Sequence, residues 1–253
     1  GWYLMNEIKF SANTGYLWQD RTFLDRIRLA KLYGFHSIEF HDEALKEDRV
    51  ELKEVLSETE LRVNSLNIRV GKTFGCAAIP DQADQAKQDI DQAIEIAEDI
   101  GSSAVHILAG ITDEPRAGDA YRSALQYALK GTKLMVLIEP VCNEQLPGFY
   151  LRTIDQAGQV LTDINHPNLK IMFDCYHIFH ESGELEANFA TYAKQIGHVQ
   201  IAAAEDRAEP FFGVIDYKNL LPQFQKMGYS GAFGCEYRPR GKTDVGLSWR
   251  SVF

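Results

Sequence analysis

The chain is expected to fold as a single (β/α)8 barrel, the TIM barrel, on three observations. Eight short apolar runs alternate with longer segments of helical periodicity along its 253 residues, and repeated βα units build a parallel sheet. Four helical segments stop on a glycine just ahead of the next apolar run, at Gly34, Gly101, Gly197 and Gly228. Glycine tolerates the left-handed turn that closes a helix. Four of the runs deliver an oxygen-bearing side chain near their C-terminal end, namely Glu139, Asp174, Gln200 and Glu236. A barrel assembles its site at that end, from several strands at once.

Taken in order, the strands are expected over 8–12, 37–40, 61–66, 104–109, 134–138, 169–173, 198–202 and 232–235. The run 134–138 is the plainest: apolar throughout, too short for a self-standing helix, and suited to a strand buried on both faces. It ends in Glu139-Pro140. An unpaired buried carboxylate costs several kcal/mol, so Glu139 must meet a metal, a cation, a substrate or a wet edge. The first helix carries Phe23, Ile27 and Ala30 on one face, and the clearest one repeats Ile90, Ala93, Ile94, Ala97 and Ile100. The longest irregular stretch, 71–84, is placed over the site. Residues 118–133 leave room for only a shortened fourth helix, and the chain stops soon after Trp249, leaving little or no eighth helix. One domain is expected over 1–253, with residues 1–4 read as a leader ahead of Met5.

Composition is that of an ordinary globular protein, with 45% hydrophobic and 25% charged residues. No apolar run approaches the ~20 residues of a membrane span, and no signal peptide opens the chain, so a cytoplasmic protein without a membrane partner is expected. A net charge of −10 argues against a broad nucleic-acid surface. No G-x-G-x-x-G follows the first strand and no P-loop occurs, which weakens dinucleotide and nucleotide readings. Cys76, Cys142, Cys175 and Cys235 form no C-x-x-C pair and read as buried free thiols.

Three carboxylates and an amide oxygen suit a hard dication such as Mg²⁺ or Mn²⁺, which would also relieve their mutual repulsion. The plainer alternative is that each carboxylate pairs locally with a basic residue. His177, three residues past Asp174, is either a structural histidine or a hydrogen-bond partner for substrate. Arg207 sits among Glu205, Asp206 and Glu209. It is either a solvated surface pair or a bidentate clamp for an anion, and the spacing fits both. Arg69 and Lys72, after the third strand, are further candidates for that clamp. Glu39 and His106 lie in expected strands as polar residues of the barrel mouth or of its structure.

Several blocks resemble the hydroxypyruvate isomerase family of xylose-isomerase-like barrels. They are Ile138-Glu139-Pro140 with Pro147-Gly148-Phe149-Tyr150, Phe173-Asp174-Cys175-Tyr176-His177, His198-Val199-Gln200-Ile201-Ala202 with Arg207, and Gly234-Cys235-Glu236-Tyr237-Arg238-Pro239. The resemblance spans nearly the whole chain. It implies interconversion of hydroxypyruvate and tartronate semialdehyde through an enediolate. Glu139 and Glu236 would be both the acid/base pair and metal ligands, Asp174 and Gln200 would complete the metal set, and His177 and Arg207 would contact a small anionic hydroxy-oxo acid. The chain departs from the pattern at Ala203, where an aspartate is usual, at Phe179, often a glutamine, and at Asn67-Ile68-Arg69-Val70-Gly71, in place of N-L-P-A-G. These departures bear on which acid is used, and Arg69 or Lys72 is expected to add an anion contact.

The alternatives are an isomerase of a four-carbon 2-oxo acid, and a ketose 3-epimerase, whose family usually has histidine where Gln200 stands. An AP-endonuclease-type barrel would need more histidine ligands than the seven in the chain can readily supply and a basic groove. A non-catalytic barrel that binds a metal or a sugar acid differs in class, and retained metal binding without turnover would mark it. Self-association into a homo-oligomer stays open.

Overall fold

A computed structural model describes residues 7–211 and 213–253; the expected leader, 1–4, lies outside them. Nine parallel strands form the barrel wall: β1 Phe10–Asn13, β2 Ser37–Glu39, β3 Arg62–Val63, β4 Leu66–Asn67, β5 Ala104–His106, β6 Met135–Ile138, β7 Leu169–Asp174, β8 Ile196–Ile201 and β9 Phe233–Cys235. Their order is β3-β2-β1-β9-β8-β7-β6-β5-β4. The two end strands are two halves of one barrel position, the expected third strand. β3 pairs with β2 and β4 pairs with β5, and Ser103 N–H donates to Val63 O while Phe40 N–H donates to Ser65 O. The wall therefore closes through the break at residues 64–65.

The helices are α1 Phe23–Leu32, α2 Arg49–Thr59, α3 Ala83–Ile100, α4 Ala117–Gly131, α5 Ile154–Ile164, α6 Cys175–Ser182, α7 Leu185–Tyr192, α8 Tyr217–Lys226 and α9 Thr243–Gly246. The expectation of a shortened fourth helix is corrected: α4 runs for 15 residues. It begins on backbone turns without a side-chain cap and ends directly at the loop before β6, so its connections take few residues. The last helical position is indeed slight, four residues of α9 followed by a 3-10 turn over Leu247–Val252. Gly34, Gly101 and Gly228 adopt the left-handed backbone expected of helix stops. Gly197 does not. It lies inside β8, where a Cβ would come within 2.4 Å of Met135 Sδ, so close strand packing requires it. Among the described residues no helix is long and apolar enough to cross a membrane.

The period of two along each strand sorts the side chains. Ala12, Ile38, Val105, Val136, Ile138, Ile171, Phe173, Val199 and Phe233 alternate with the site residues and are buried in the main apolar core. Phe173, Phe189 and Phe224 form an aromatic cluster between β7, α7 and α8, with the last two rings stacked at 4.0 Å. The opposite parity carries Asn13, Glu39, His106, Glu139, Asp174, Gln200 and Glu236, all buried. Register then gathers them. Asp174 pairs with Gln200 and Gln200 with Gly234, while Asn13 lies beside Glu39 and Asn67 beside His106. Alternation and register together draw these polar side chains to the C-terminal end of the barrel.

Candidate active site

Each of the four strand-end residues has a distinct setting. Asp174 ends β7 and starts α6. Its Oδ1 accepts the N–H groups of Tyr176 (2.9 Å) and His177 (3.3 Å), a helix N-cap that fixes the carboxylate. Its Oδ2 is buried with no hydrogen-bond partner. Burial, helped by the charge of Glu236 and opposed by Arg207, pushes this carboxyl up to about 7. Glu139 follows β6, and its Oε2 likewise has no partner. Burial first, then the charges of Glu236 and Asp174, raise it well above the usual carboxylate range.

Glu236 is the opposite case. Its Oε1 accepts from Arg207 Nη2 (3.0 Å). Its Oε2 accepts from Asn13 Nδ2 (2.7 Å) and Gln200 Nε2 (3.0 Å), and lies 3.3 Å from His41 Nε2. Burial works to raise its pKa, but His41 and Arg207 outweigh it and hold the group down at about 2. Gln200 also donates to Glu39 Oε2 (2.7 Å), while Glu39 Oε1 meets His198 Nε2 at 2.8 Å. Gly234 makes this possible, because a Cβ there would lie 2.3 Å from a Glu39 oxygen.

Arg207 is buried, not a surface pair. Its left-handed backbone (φ 59°) turns the guanidinium into the barrel mouth, between the rings of Tyr16 and Tyr176 at 5.1 Å each. Its Nη2 lies 3.8 Å from Asp174 Oδ2 and 3.5 Å from His177 Nε2. His177 is neutral, since burial and then Arg207 lower it well below the usual histidine value. The backbone N–H of Cys142, 3.4 Å from His177 Nδ1, can only donate. The ring thus lies between two donors, the Cys142 N–H at Nδ1 and Arg207 Nη2 at Nε2, with Cys142 Sγ also 3.4 Å from Nδ1. All four cysteines are buried and free.

A cavity of about 240 Å³ opens over this cluster, lined by Tyr16, His41, His106, Glu139, His177, Arg207, Glu236 and Arg238 on its polar side. Asp174 and Gln200 lie beneath it. Glu139, Asp174 and His177 each offer a ligand atom within 4.8 Å of one another.

Arg69 and Lys72 are not brought to the cavity, which corrects the expected anion contact. Arg69 Nε donates to the buried carboxylate of Asp89 on α3 at 3.0 Å, and Lys72 is exposed. A buried Asp89 needs a cation, and Arg69 is in reach. Sequence reasoning missed His41, Asn13 and His198 and left Glu39 undecided. Glu39 carried the same signal as Glu139, a carboxylate at a strand end; the other three carried none, because only register sets them beside Glu39 and Glu236.

The fold is thus a parallel barrel with a small cavity open over a buried, carboxylate-rich floor. The chain belongs to the xylose isomerase-like TIM barrel family, whose model matches residues 27–250. It is 33% identical to the hydroxypyruvate isomerase of Escherichia coli K12, over 97% of this chain and 99% of that one. It is 32% identical to the 2-oxo-tetronate isomerase of Cupriavidus necator, over 95% and 96%. A crystal structure from Brucella melitensis, named an AP endonuclease of family 2, superposes with a TM-score of 0.93 at 29% identity, covering 98% of this chain and 99% of that one.

Proposed function

We propose that the chain isomerises a small hydroxy-oxo acid, hydroxypyruvate or a four-carbon 2-oxo acid, by moving a proton between neighbouring carbons through an enediolate. One observation carries the reading. Glu139 and Glu236 come from strand positions three apart around the barrel, and their surroundings drive their proton affinities in opposite directions. Such a pair supplies an ionised base and a proton-bearing partner in one site. Glu236, held ionised by Arg207 and His41, takes the proton α to the carbonyl. Glu139, across the cavity, exchanges it at the neighbouring carbon. Arg207 and the His177 ring bind the substrate carboxylate or hydroxyls. The names of the two bacterial isomerases support the substrate class. The net charge of −10 speaks against the nucleic-acid role that the name of the Brucella protein would suggest.

The donor set fits Mg²⁺ or Mn²⁺. Glu139 Oε2 and Asp174 Oδ2 are buried oxygens without a partner, the acceptors a hard cation takes. These two would hold it, with His177, Gln200 and Glu236 around them; of these, Glu236 already has both oxygens engaged. When bound, the cation supplies positive charge against the negative charge that develops on the substrate oxygens. Its binding must displace the proton of Asp174, whose carboxyl is raised, while the proton that Glu139 exchanges stays in the site. With Asp174 at about 7, Mn²⁺ is expected to bind about tenfold more weakly at pH 6 than at pH 8. Calorimetric titration at the two values checks this; equal affinities would remove Asp174 from the metal set.

The function is tested by following isomerisation of hydroxypyruvate through coupled reduction of tartronate semialdehyde. The parent and Glu236→Gln are compared with chelator and with added Mg²⁺ or Mn²⁺. The expected result is turnover in the parent and loss of at least about 10²-fold in the variant. A folded parent inert on hydroxypyruvate and on its C3-substituted homologues would discard the isomerase reading.

A further inference from the structure

Above its polar floor the cavity has an apolar wall. Val70 and Phe74 follow β4, Leu108 follows β5, and Val141, Leu146 and Phe149 follow β6. These three strands are neighbours in the sheet, so the six side chains stand on one side of the mouth. The polar residues of those same strands, Asn67, His106 and Glu139, sit at the strand ends, one level deeper. Asn67 is moreover engaged, its Oδ1 lying 3.0 Å from His106 Nδ1. The cations that could have faced this wall are turned elsewhere, Arg69 to Asp89 and Lys72 to solvent. Gln145 is the polar side chain that borders the wall. The wall is also locally built: Phe74 and Gly75 both take left-handed backbone, and Gly75 packs directly on Leu108.

Resting on the isomerase reading, we infer that the preferred substrate is a 3-hydroxy-2-oxo acid with an alkyl group on C3, rather than the three-carbon acid or a hydroxymethyl homologue. The reaction balances within the substrate: the C3–H proton leaves, the enediolate forms, and a proton returns to C2, giving the 2-hydroxy-3-oxo acid with the alkyl group untouched. The carboxylate and the two reacting oxygens occupy the polar floor, and the alkyl group lies on the apolar wall. Each methylene buried there improves kcat/KM by about fourfold. A terminal hydroxyl in the same place gives up its water against a mostly apolar wall, bordered by Gln145, and is disfavoured by about tenfold.

The test compares 3-hydroxy-2-oxopentanoate with 3,4-dihydroxy-2-oxobutanoate, whose C3 substituents, ethyl and hydroxymethyl, have equal heavy-atom counts, and with hydroxypyruvate. Deuterium incorporation from solvent and product formation are followed by NMR, with Leu146→Asn run beside the parent. The expected result is a kcat/KM about tenfold higher for the ethyl acid, with the preference narrowed in Leu146→Asn while circular dichroism is unchanged. Equal or better turnover of the hydroxymethyl acid or of hydroxypyruvate would overturn the inference and leave the isomerase reading in place. Exchange and turnover on none of the three would remove both.

Discussion

Glu139→Gln is expected to cut turnover by about 10³-fold, within the range for loss of a general acid–base group, without destabilising the metal-free fold. Turnover falls while the fold holds because the residue is placed for chemistry, not for packing. Its Oε2 has no hydrogen-bond partner, and burial together with Glu236 and Asp174 opposes its ionisation. Glutamine keeps the shape and removes the charge. The same physics sets a pH trend. A carboxyl raised in the fold contributes stability that is present below its ordinary value and lost as pH rises through the raised one. Asp174, raised to about 7, therefore weakens the metal-free protein between about pH 4 and 7. Glu236, held down at about 2, adds nothing to the change in that window beyond its low end. Calorimetry in chelator, paired with steady-state kinetics, measures both halves. Activity within tenfold of the parent would take Glu139 out of the chemistry, and a marked fall in melting temperature would make its role structural.

Arg207→Met is expected to be the most destabilising single change in the site, by about 3–5 kcal/mol, the usual cost of leaving buried partners of opposite charge uncompensated. For a domain of this size that lowers the melting temperature on the order of 10 °C. The guanidinium meets Glu236 at 3.0 Å and Asp174 at 3.8 Å, and it fills the space between Tyr16 and Tyr176. Methionine restores the apolar stem and none of the charge, so Glu236 would lose one of the two groups that hold it ionised. The pH profile of kcat/KM should shift its acidic limb upward in whatever activity survives. Thermal melting and that profile are the readouts. A loss below about 1 kcal/mol with an unmoved acidic limb would show that Arg207 governs neither the fold nor Glu236.

The same two residues mark how far the sequence could be read. The strand at 134–138, its terminal Glu139, and the parallel cases at Asp174, Gln200 and Glu236 were legible because a carboxylate or amide closing an apolar run conflicts with local burial preference. The helix faces of α1 and α3 were legible because apolar periodicity is local, and Phe23, Ile27, Ala30, Ile90, Ala93 and Ala97 are all buried. Helix length was less so: the spacing of 118–133 read as short when α4 in fact uses nearly all of it. Gly197 read as a stop although contact with Met135 and Lys170 requires it.

The barrel class, and the carboxylates and amide at its strand ends, follow from patterns only a few residues long. The tertiary structure decided the rest: that Arg207 is buried between two tyrosines, that Arg69 answers Asp89 instead of the cavity, and that Gly234 makes room for Glu39. It also decided that His41 and Asn13 hold Glu236, across 195 and 223 residues of chain. Charge compensation is a contest among all groups within reach, and reach is set by strand register and barrel closure, which no local pattern encodes.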